Sequence, residues 1–412
     1  MGVGLSPAVP MSETKAPPLA GVKILEMGQL LAGPFASTLL AWFGAEVIKV
    51  EPPGKGDALR AWRGLHNGQS LWWSIMGRNK KSITLNLRES RGQEIARSLA
   101  GKADVLLENF KPGTLERWGL GADVLEADNP KLIIARVSGW GQSGPRRSEP
   151  GYASVAEGVG GLRYVTGYPD RPPVRSNLSL GDTIAGLHAA LGVLTALYHR
   201  DHGGEGRGQV VDVAIYEAVF NMMESALPEF DLLGDVRERQ GSKLSGIVPS
   251  NTYQCRDGKY IIIGGNGDSI FKRLMRAAGR EDLAADPRLE QNDGRVLHEK
   301  EIDAVLSEWT GSHPFAEIMT ALENAQVPAG PIYSMEEIVD DEQFRAREMI
   351  ETHRLDDGTE VKLPNLAPKL SESPGGTQWV GPALGAHNDE IYRDLLGMSS
   401  EEIEALTRDG II

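Results

Sequence analysis

Residues 22–53 have the sequence "VKILEMGQLLAGPFASTLLAWFGAEVIKVEPP", and this stretch decides the fold class. Its first part, 22–28, is a short β-branched and apolar run that ends in glycine. Residues 35–44 follow a proline that suits the first turn of a helix, and residues 45–53 form a second apolar run that two prolines stop. A strand, a helix and a second strand in this order predict a βαβ unit, which joins parallel strands.

The same alternation continues along the first half of the chain. Apolar runs at 82–87, 104–110 and 132–141 predict further strands, and residues 91–103 have the composition of a helix. Strands that alternate with helices indicate an α/β protein with a doubly wound, Rossmann-like parallel sheet.

The second half of the chain predicts a different kind of domain. Residues 252–265 have the pattern of a β-hairpin around an Asp-Gly turn, and helical, acidic segments follow it. We therefore expect a smaller α+β domain at 228–335. It would separate a large domain at 19–227 from a C-terminal segment at 336–412.

Bulk composition excludes several classes of protein. The 412 residues are 41% hydrophobic and 24% charged, which is ordinary for a soluble globular protein. A formal net charge of −14 argues against a nucleic-acid partner. No uninterrupted apolar run reaches the roughly 18 residues of a membrane span. Cys255 is the only cysteine, so intramolecular disulfides are excluded and a cytoplasmic location is expected. Residues 1–18 lack a signal-peptide core and are predicted to be a flexible extension, with Met11 as an alternative start.

Motifs of several common enzyme classes do not occur. Gly28 and Gly33 have the wrong spacing for G-x-G-x-x-G, although Glu51 ends the second strand where a ribose-binding acid would lie. The eight histidines form no H-E-x-x-H or similar ligand pair, so we predict no metal site. No G-x-S-x-G is present, which excludes the simplest serine hydrolase.

Two basic clusters could bind phosphate. Arg78, Lys80 and Lys81 precede a predicted strand, and Lys111 and Arg117 follow another. Lysine and arginine bind phosphates as point charges or as a planar fork. Solvated surface charge is the alternative reading, and the two clusters would be functional only if the fold brings them together.

Asp182 in "SLGDTIAGLHAALGVLTALYHR" (179–200) is the carboxylate that the pattern singles out. Large apolar residues recur at helical spacing after it and predict one buried helix face; they are Ile184, Leu187, Leu191, Leu194 and Tyr198. Asp182 would then lie at or near the N-cap, where a carboxylate accepts backbone N–H bonds. The same position would also keep a nucleophilic carboxylate ionised. These residues alone leave cap and nucleophile as open alternatives.

Several blocks together resemble the class III CoA-transferases, the CaiB/BaiF family that includes formyl-CoA transferases. They are "LAGVKILEMGQLLAGPFASTLLAWFGAEVIKVEPPGKGD", "NKKSITLNL", "ADVLLENFKPGTLERWGL", "SGWGQSGP", "SLGDTIAGLHAALGVLTALYHR", "GEGRGQVVDVAIYEAV", "VPAGPIYSMEEIVDDEQF" and "LGAHNDEIYRDLLGMSSEEIEAL". The resemblance implies a large Rossmann-like CoA-binding domain to which the tail returns, a small domain, and two open rings interlinked as a homodimer.

The resemblance also implies the chemistry. Asp182 would be the nucleophile of an acyl-CoA:carboxylate CoA-transferase, with mixed-anhydride and aspartyl-CoA thioester intermediates. Acyl-CoA would be the substrate, with no metal. The implied CoA and acyl contacts are Gln29, Leu30, Leu31, Ala32, Leu85, Asn86, Leu87, Arg88, Asn109, Phe110, Lys111, Arg117 and Tyr152. The basic clusters would then converge on the CoA phosphates.

Departures from the family pattern narrow the expected reaction. Racemases of the superfamily have a histidine where this chain has Tyr152, so a 2-methylacyl-CoA racemase is a weaker alternative, as is a non-catalytic CoA-binding protein. Formyl-CoA:oxalate transferases have a glutamine at the position of Leu31. They also have a longer glycine-rich loop where this chain has Gly264, Gly265 and Asn266. These three residues are candidate substrate contacts. Arg175 either binds the distal carboxylate of a dicarboxylate such as succinate or is an ordinary loop arginine.

Overall fold

The computed structural model describes residues 16–412. The strands in that range are β1 (Lys23–Glu26), β2 (Glu46–Glu51), β3 (Leu65–His66), β4 (Gln69–Ser70), β5 (Lys80–Thr84), β6 (Val105–Glu108), β7 (Ile133–Ser138), β8 (Val210–Ala214), β9 (Ser250–Gln254), β10 (Tyr260–Gly264), β11 (Ala329–Pro331), β12 (Ile350–Arg354) and β13 (Glu360–Pro364). The predicted N-terminal extension lies mostly outside the described residues.

The helices in the described residues alternate with these strands in the first half of the chain. They are α1 (Ala32–Trp42), α2 (Leu71–Met76), α3 (Ser90–Ala100), α4 (Thr114–Arg117), α5 (Ala122–Asp128), α6 (Ala153–Val159), α7 (Leu180–His202), α8 (Ile215–Phe220), α9 (Ala226–Leu233), α10 (Asp268–Ala277), α11 (Glu281–Ala284), α12 (Asn292–Leu297), α13 (Glu299–Ser312), α14 (Phe315–Asn324), α15 (Met335–Asp340), α16 (Glu342–Ala346) and α17 (Ser400–Arg408). Short 3₁₀ turns cover Ala58–Ala61 and Pro287–Leu289, and a π-helical turn covers Glu390–Leu395.

The central sheet is parallel throughout, which confirms the predicted α/β class. Its strand order is β5-β2-β1-β6-β7-β8, so the chain builds the sheet to one side of β1 and then crosses to the other. Ile24 of β1 pairs with Val47 of β2 and with Val105 of β6. Such an order has a switch point between β1 and β6, where the loops leave in opposite directions.

The C-terminal tail belongs to the core of this sheet. Tyr392 and Ile412 pack in one cluster with Leu25, Ile83 and Leu106, all of them nearly inaccessible to solvent. The Tyr392 hydroxyl donates to the carbonyl of Thr84 at 2.5 Å. The tail therefore completes the hydrophobic face that α3 and α5 leave open.

The chain divides into two compact units. Within the described residues, the first contains 16–161, 176–223 and 345–412, and the second contains 162–175 and 224–344. The small domain predicted at 228–335 lies within the second unit, which also contains 162–175, 224–227 and 336–344.

The second unit has its own sheet and core. Its sheet has the order β11-β10-β9, and β9 and β10 pair antiparallel with Ile261 opposite Tyr253. Phe271, Leu274 and Ile302 of the surrounding helices pack against that sheet.

The buried face of α7 is not the predicted one. Its buried residues are mainly small: Gly181, Ala185, Gly186, Ala189, Ala190, Val193, Ala196 and Leu197. Four of the large residues predicted to be buried, Leu187, Leu191, Leu194 and Tyr198, are instead exposed in this chain, with Leu191 63% and Tyr198 68% exposed. The fifth, Ile184, is half-buried. Both faces repeat every three to four residues, but only small side chains allow α1 and the sheet to approach α7 closely. α7 is the one helix among residues 16–412 whose length and hydropathy would suffice to cross a membrane.

Candidate active site

The loops at the switch point of the sheet are joined by one side chain. Asn109 directly follows β6, and its Oδ1 accepts from the Gln29 N–H at 2.8 Å. Its Nδ2 donates to the Gln29 carbonyl at 2.7 Å. Ligands of doubly wound sheets bind outside the carboxyl ends of the strands at this point. The two predicted contact segments that contain Gln29 and Asn109 are therefore adjacent in the fold.

The first of these loops, taken here as residues 28–34 so that it includes the first three residues of α1, has a constrained backbone. Leu30 has a φ of 65°, in the left-handed region that a leucine rarely adopts, and this costs on the order of 1 kcal/mol or more. Both carboxylate oxygens of Asp57 accept from the Leu30 N–H at 3.1 Å. Leu31 then precedes α1 without a side-chain cap.

Asp182 is the third residue of α7, so it lies near the N-cap, as the sequence predicts, but is not the cap itself. Ser179 occupies the N-cap position and makes no side-chain cap bond. Glu157 of α6, which is only 2% exposed, instead accepts from the Gly181 N–H at 3.2 Å. Asp182 nevertheless stays in the first turn, where the helix dipole favours an ionised carboxylate.

The first loop and α7 are in direct contact. Gly186 lies one turn after Asp182, and a Cβ atom built there would be 2.8 Å from the Ala32 carbonyl oxygen. The same atom would be 2.9 Å from Cδ1 of Phe35. Glycine is thus required for α1 and its preceding loop to lie this close to α7, so the predicted acyl-end segment is beside the predicted nucleophile.

The first basic cluster does not face a ligand, and its predicted convergence on phosphates is wrong. Arg78 and Lys80 are fully buried. Arg78 donates to the carbonyls of Ile75 and Pro364, and Lys80 to Glu26. Lys81 forms ion pairs with two surface glutamates.

The second basic cluster remains available for phosphate. Lys111 and Arg117 are exposed in the segment after β6, and Arg88 is exposed after β5. All three cations lie on segments that follow the carboxyl ends of parallel strands. Leu85, Asn86 and Leu87 are all predicted CoA contacts. The side chains of Leu85 and Leu87 are buried, so these two residues could offer a ligand only their backbone.

A buried ion pair supports the segment after β6. Glu108 accepts from Arg136 Nε at 2.8 Å and from the Phe110 N–H at 2.6 Å. Arg136 also donates to Glu116 of α4 at 2.7 Å. Burial raises the pKa of the Glu108 carboxyl to about 7, although Arg136 and the Phe110 N–H favour its ionised form.

The remaining predicted residues lie at the surface or in the second unit. Tyr152 is the N-cap residue of α6 and is 73% exposed. Arg175 and the segment Gly264–Asn266 belong to the second unit. In that unit the buried Arg295 donates to the Asn266 carbonyl at 2.7 Å and to Asp268 at 2.8 Å, so the glycine loop is anchored at its far end.

Some charged residues around the site were missed because sequence reasoning treats charge as exposed. Glu157, Asp57 and Lys49 are all buried. One sequence signal pointed to the burial of Lys49, namely its position inside the apolar run "EVIKVE". A strand of a parallel sheet is covered on both faces, so a lysine in the middle of it is buried. Glu51, considered as a ribose ligand, is also buried and is bonded by Arg60 and Ser82. Among residues 16–412 no group of three or more His, Cys, Asp or Glu side chains could hold a metal ion.

Known proteins share this sequence and fold over nearly the whole chain. The model of CoA-transferase family III matches residues 19–388. A succinyl-CoA–D-citramalate CoA-transferase of Chloroflexus aurantiacus is 48% identical, over 98% of this chain and 100% of that protein. The beta subunit of a succinyl-CoA–L-malate CoA-transferase of the same species is 39% identical, over 96% and 98%.

More distant relatives extend the comparison. A formyl-CoA:oxalate CoA-transferase of Streptomyces coelicolor is 34% identical, over 96% of this chain and 99% of that protein. The crystal structure of a CaiB/BaiF family protein from Brucella suis superposes with a TM-score of 0.80 at 32% identity and covers 92% of this chain and 100% of that one. The racemase alternative is not favoured by these relatives. A parallel sheet with a switch-point site, an aspartate in the first turn of α7 and these matches show that the chain is an enzyme of CoA-transferase family III.

Proposed function

We propose that the enzyme transfers CoA from succinyl-CoA to a 2-hydroxydicarboxylic acid of the citramalate or malate type. The observation that carries the proposal is the position of Asp182, in the first turn of α7 and one turn from the contact between Gly186 and the Ala32 carbonyl. Relatives named for succinyl-CoA and for citramalate or malate, at 48% and 39% identity, support the choice of donor and acceptor.

The proposed mechanism has four balanced steps on Asp182. Its carboxylate attacks the thioester carbonyl of the donor, which forms a mixed anhydride and expels CoA thiolate. The thiolate attacks the aspartyl carbonyl, which gives an aspartyl-CoA thioester and releases succinate. The acceptor carboxylate then attacks that thioester, which forms a second mixed anhydride and expels the CoA thiolate. The thiolate attacks the acceptor carbonyl of this anhydride, which gives the product thioester and breaks the bond to Asp182. Asp182 ends as a free carboxylate, and no oxidant or reductant is consumed.

The proposed CoA site follows the carboxyl edge of the sheet. We assign the phosphates to the exposed cations Arg88, Lys111 and Arg117. The backbone of the segments that follow β5 and β6 would bind the rest of the CoA moiety. Residues 29–32 would lie at the acyl end of the acyl-CoA. Tyr152 stays a proposed contact on the strength of its exposed position at the start of α6.

The distal carboxylate of the acid needs a cation. We propose Arg175 for this role and the Gly264–Asn266 segment as a further substrate contact. An arginine suits a carboxylate because its guanidinium can donate two parallel hydrogen bonds. Replacing Arg175 by lysine should raise the KM for the dicarboxylate more than the KM for a monocarboxylic acceptor. Equal effects on both acceptors would remove Arg175 from the substrate site.

We propose that the functional form is a homodimer in a cytoplasmic setting. The large apolar residues on the open side of α7 form a stripe that water would otherwise contact; they are Leu187, Leu191, Leu194 and Tyr198. α9 buries none of its residues in this chain although it contains Leu227 and Phe230. Apolar surface of this extent is typical of an interface. The single free cysteine, Cys255, is compatible with a reducing compartment.

The test of the mechanism is intact-mass analysis after incubation with succinyl-CoA. The wild-type enzyme should gain the mass of CoA less one water, and hydroxylamine should convert the adduct to a hydroxamate at Asp182. Asp182→Asn should form no adduct. Asp201→Asn is the matched control, since Asp201 is an exposed carboxylate in the last turn of the same helix.

The acceptor is tested by turnover with succinyl-CoA and a panel of acids. D-citramalate and L-malate should be converted to their CoA thioesters with higher kcat/KM than oxalate or formate. A wild-type enzyme that forms no adduct but exchanges deuterium beside the thioester would overturn the transferase mechanism. Preference for oxalate would overturn the proposed acceptor and leave the mechanism in place.

A further inference from the structure

Four charged side chains are buried beneath the loop formed by residues 28–34. Glu26, Lys49, Asp57 and Lys80 are each at most 1% exposed. Glu26 lies between the two lysines, with Oε1 at 2.7 Å from Lys49 Nζ and Oε2 at 2.7 Å from Lys80 Nζ. Lys49 Nζ is also 2.9 Å from Asp57 Oδ2. Two positive and two negative groups thus form one neutral cluster, called here the loop-anchoring cluster.

Three members of the loop-anchoring cluster bond the backbone of the loop itself. Lys49 Nζ donates to the Gly28 carbonyl at 2.8 Å, at the start of the loop. Lys80 Nζ donates to the Pro34 carbonyl at 2.8 Å, at its end. Asp57 accepts from the Leu30 N–H between them. The loop is therefore held at both ends and at its left-handed turn by groups that solvent does not reach.

The loop-anchoring cluster contributes more to the conformation of the loop than to the free energy of unfolding of the protein. Buried ion pairs contribute little net stability, because the loss of hydration offsets the attraction between the charges. Burial opposes the ionisation of Glu26, but Lys49 and Lys80 outweigh it and lower the pKa of Glu26 to about 2. Glu26 therefore stays ionised at neutral pH, and despite the burial of Lys49 the carboxylates of Glu26 and Asp57 raise the pKa of this lysine. Burial lowers the pKa of Lys80 to about 8, which still leaves it mostly charged at neutral pH.

We propose that Asp57 and Lys49 are positioning residues for the transfer reaction. They keep Leu30 in its left-handed conformation, and this holds residues 29–32 against α7, one turn from Asp182. The reacting carbonyl of the thioester would otherwise face a loop with several conformations, and misplacement by a fraction of an ångström slows attack without weakening binding elsewhere. The proposal rests on the proposed function, in which residues 29–32 lie at the acyl end of the substrate.

The test compares two variants of Asp57 with a matched control. Asp57→Ala removes the acceptor of Leu30, one partner of Lys49 and the cap of the 3₁₀ turn, where Asp57 accepts from the Leu59 N–H at 2.9 Å. Asp57→Asn keeps one acceptor oxygen, which can still bind the Leu30 and Leu59 N–H groups, and it removes the charge and the second oxygen, which faces Lys49. Asp286→Ala is the control, because Asp286 caps another 3₁₀ turn through the Arg288 N–H at 2.9 Å.

Single-turnover adduct formation from succinyl-CoA, quenched at intervals and measured by intact mass, separates positioning from folding. We expect the rate constant of Asp57→Ala to fall at least 10-fold while the final adduct per subunit stays at the wild-type level. The rate constant of Asp57→Asn should lie between those of Asp57→Ala and wild type. The rate constant of Asp286→Ala should stay within twofold of wild type. Inhibition by free CoA should change less than threefold, because Arg88, Lys111 and Arg117 lie on other segments.

The opposite results would overturn the proposal. If Asp57→Ala lowers the amount of adduct but not the rate constant, the residue only supports folding. If Asp57→Ala does not fold, Asp57→Asn decides, and a wild-type rate constant for it would show that the charge has no positioning role. A wild-type enzyme without any adduct would refute the proposed function itself, which this design detects before any variant is compared.

Discussion

Gly186→Ala adds one methyl group at the contact between α7 and the loop before α1. The new Cβ would lie 2.8 Å from the Ala32 carbonyl oxygen, whereas ordinary contact begins at 3.4 Å. The Phe35 ring at 2.9 Å can rotate, but the carbonyl is part of a backbone that the loop-anchoring cluster holds. The helix and the loop must therefore separate by about 0.6 Å, the difference between these two distances.

The cost to stability and the cost to catalysis should differ. Alanine is favoured over glycine inside a helix by about 1 kcal/mol, and overpacking costs about 1–3 kcal/mol. The net loss of unfolding free energy should therefore be at most about 2 kcal/mol. A misplacement of about 1 Å costs on the order of 100-fold in rate, so a shift of this size should slow the attack of Asp182 on the thioester about 10-fold.

Single-turnover formation of the CoA adduct is the assay, with free-CoA inhibition as the measure of binding. Gly311→Ala is the control, because Gly311 lies in α13 and a Cβ there would meet nothing within 4 Å. We expect a slower rate constant only in Gly186→Ala, with CoA binding unchanged. A Gly186→Ala rate within twofold of wild type would refute the inference that this contact sets the position of the loop relative to Asp182.

Three further predictions concern pH, assembly and CoA binding. The pKa of Glu108 is raised from 4.5 to about 7, so the folded protein keeps a proton that the unfolded chain has released. The unfolding free energy should therefore fall by up to about 3 kcal/mol as pH rises through this window. Urea titrations at pH 5 and pH 8 should show this fall in wild type and not in Glu108→Gln. Leu191→Glu places a charge on the open stripe of α7 and should convert the proposed homodimer to monomers in light scattering; a variant that stays dimeric would contradict the proposed interface. Lys111→Ala and Arg117→Ala should each raise the KM for succinyl-CoA about 3- to 10-fold at unchanged kcat, with the effect decreasing as salt is added; a change in kcat alone would remove these residues from the phosphate site.

Local sequence patterns predicted the scaffold well. The apolar runs around Ile24, Ile48 and Ile134 form parallel strands of one sheet, because a β-branched run flanked by turn residues is compatible with few other structures. The helix that contains Asp182 begins at Leu180, close to where the spacing placed it. The matching blocks gave the family, and the family comparison agrees.

The candidate site depended more on contacts that no local pattern records. The side chain of Asn109 binds the Gln29 backbone, eighty residues away in sequence, and its contact with CoA stays a prediction. Glu157 and Asp57 gave no sequence signal, since their partners at Gly181 and Leu30 are more than twenty residues away. Their role arises from pairing across the fold.

The sequence by itself determined the parallel α/β class and the position of Asp182 at a helix start, because period and residue type act over one or two turns. Only the tertiary structure decided which face of α7 is buried and whether a lysine is a surface charge or an internal one. Leu191 and Ala189 belong to two faces of α7 that both repeat at helical spacing, but only the small side chain of Ala189 fits where α1 approaches closely. Lys80 looks like Lys111 in sequence, yet its side chain is buried and pairs with Glu26, so its charge is neutralised inside the protein. Whether a side chain is buried depends on the helices and strands that pack against it, and only the fold decides which elements these are.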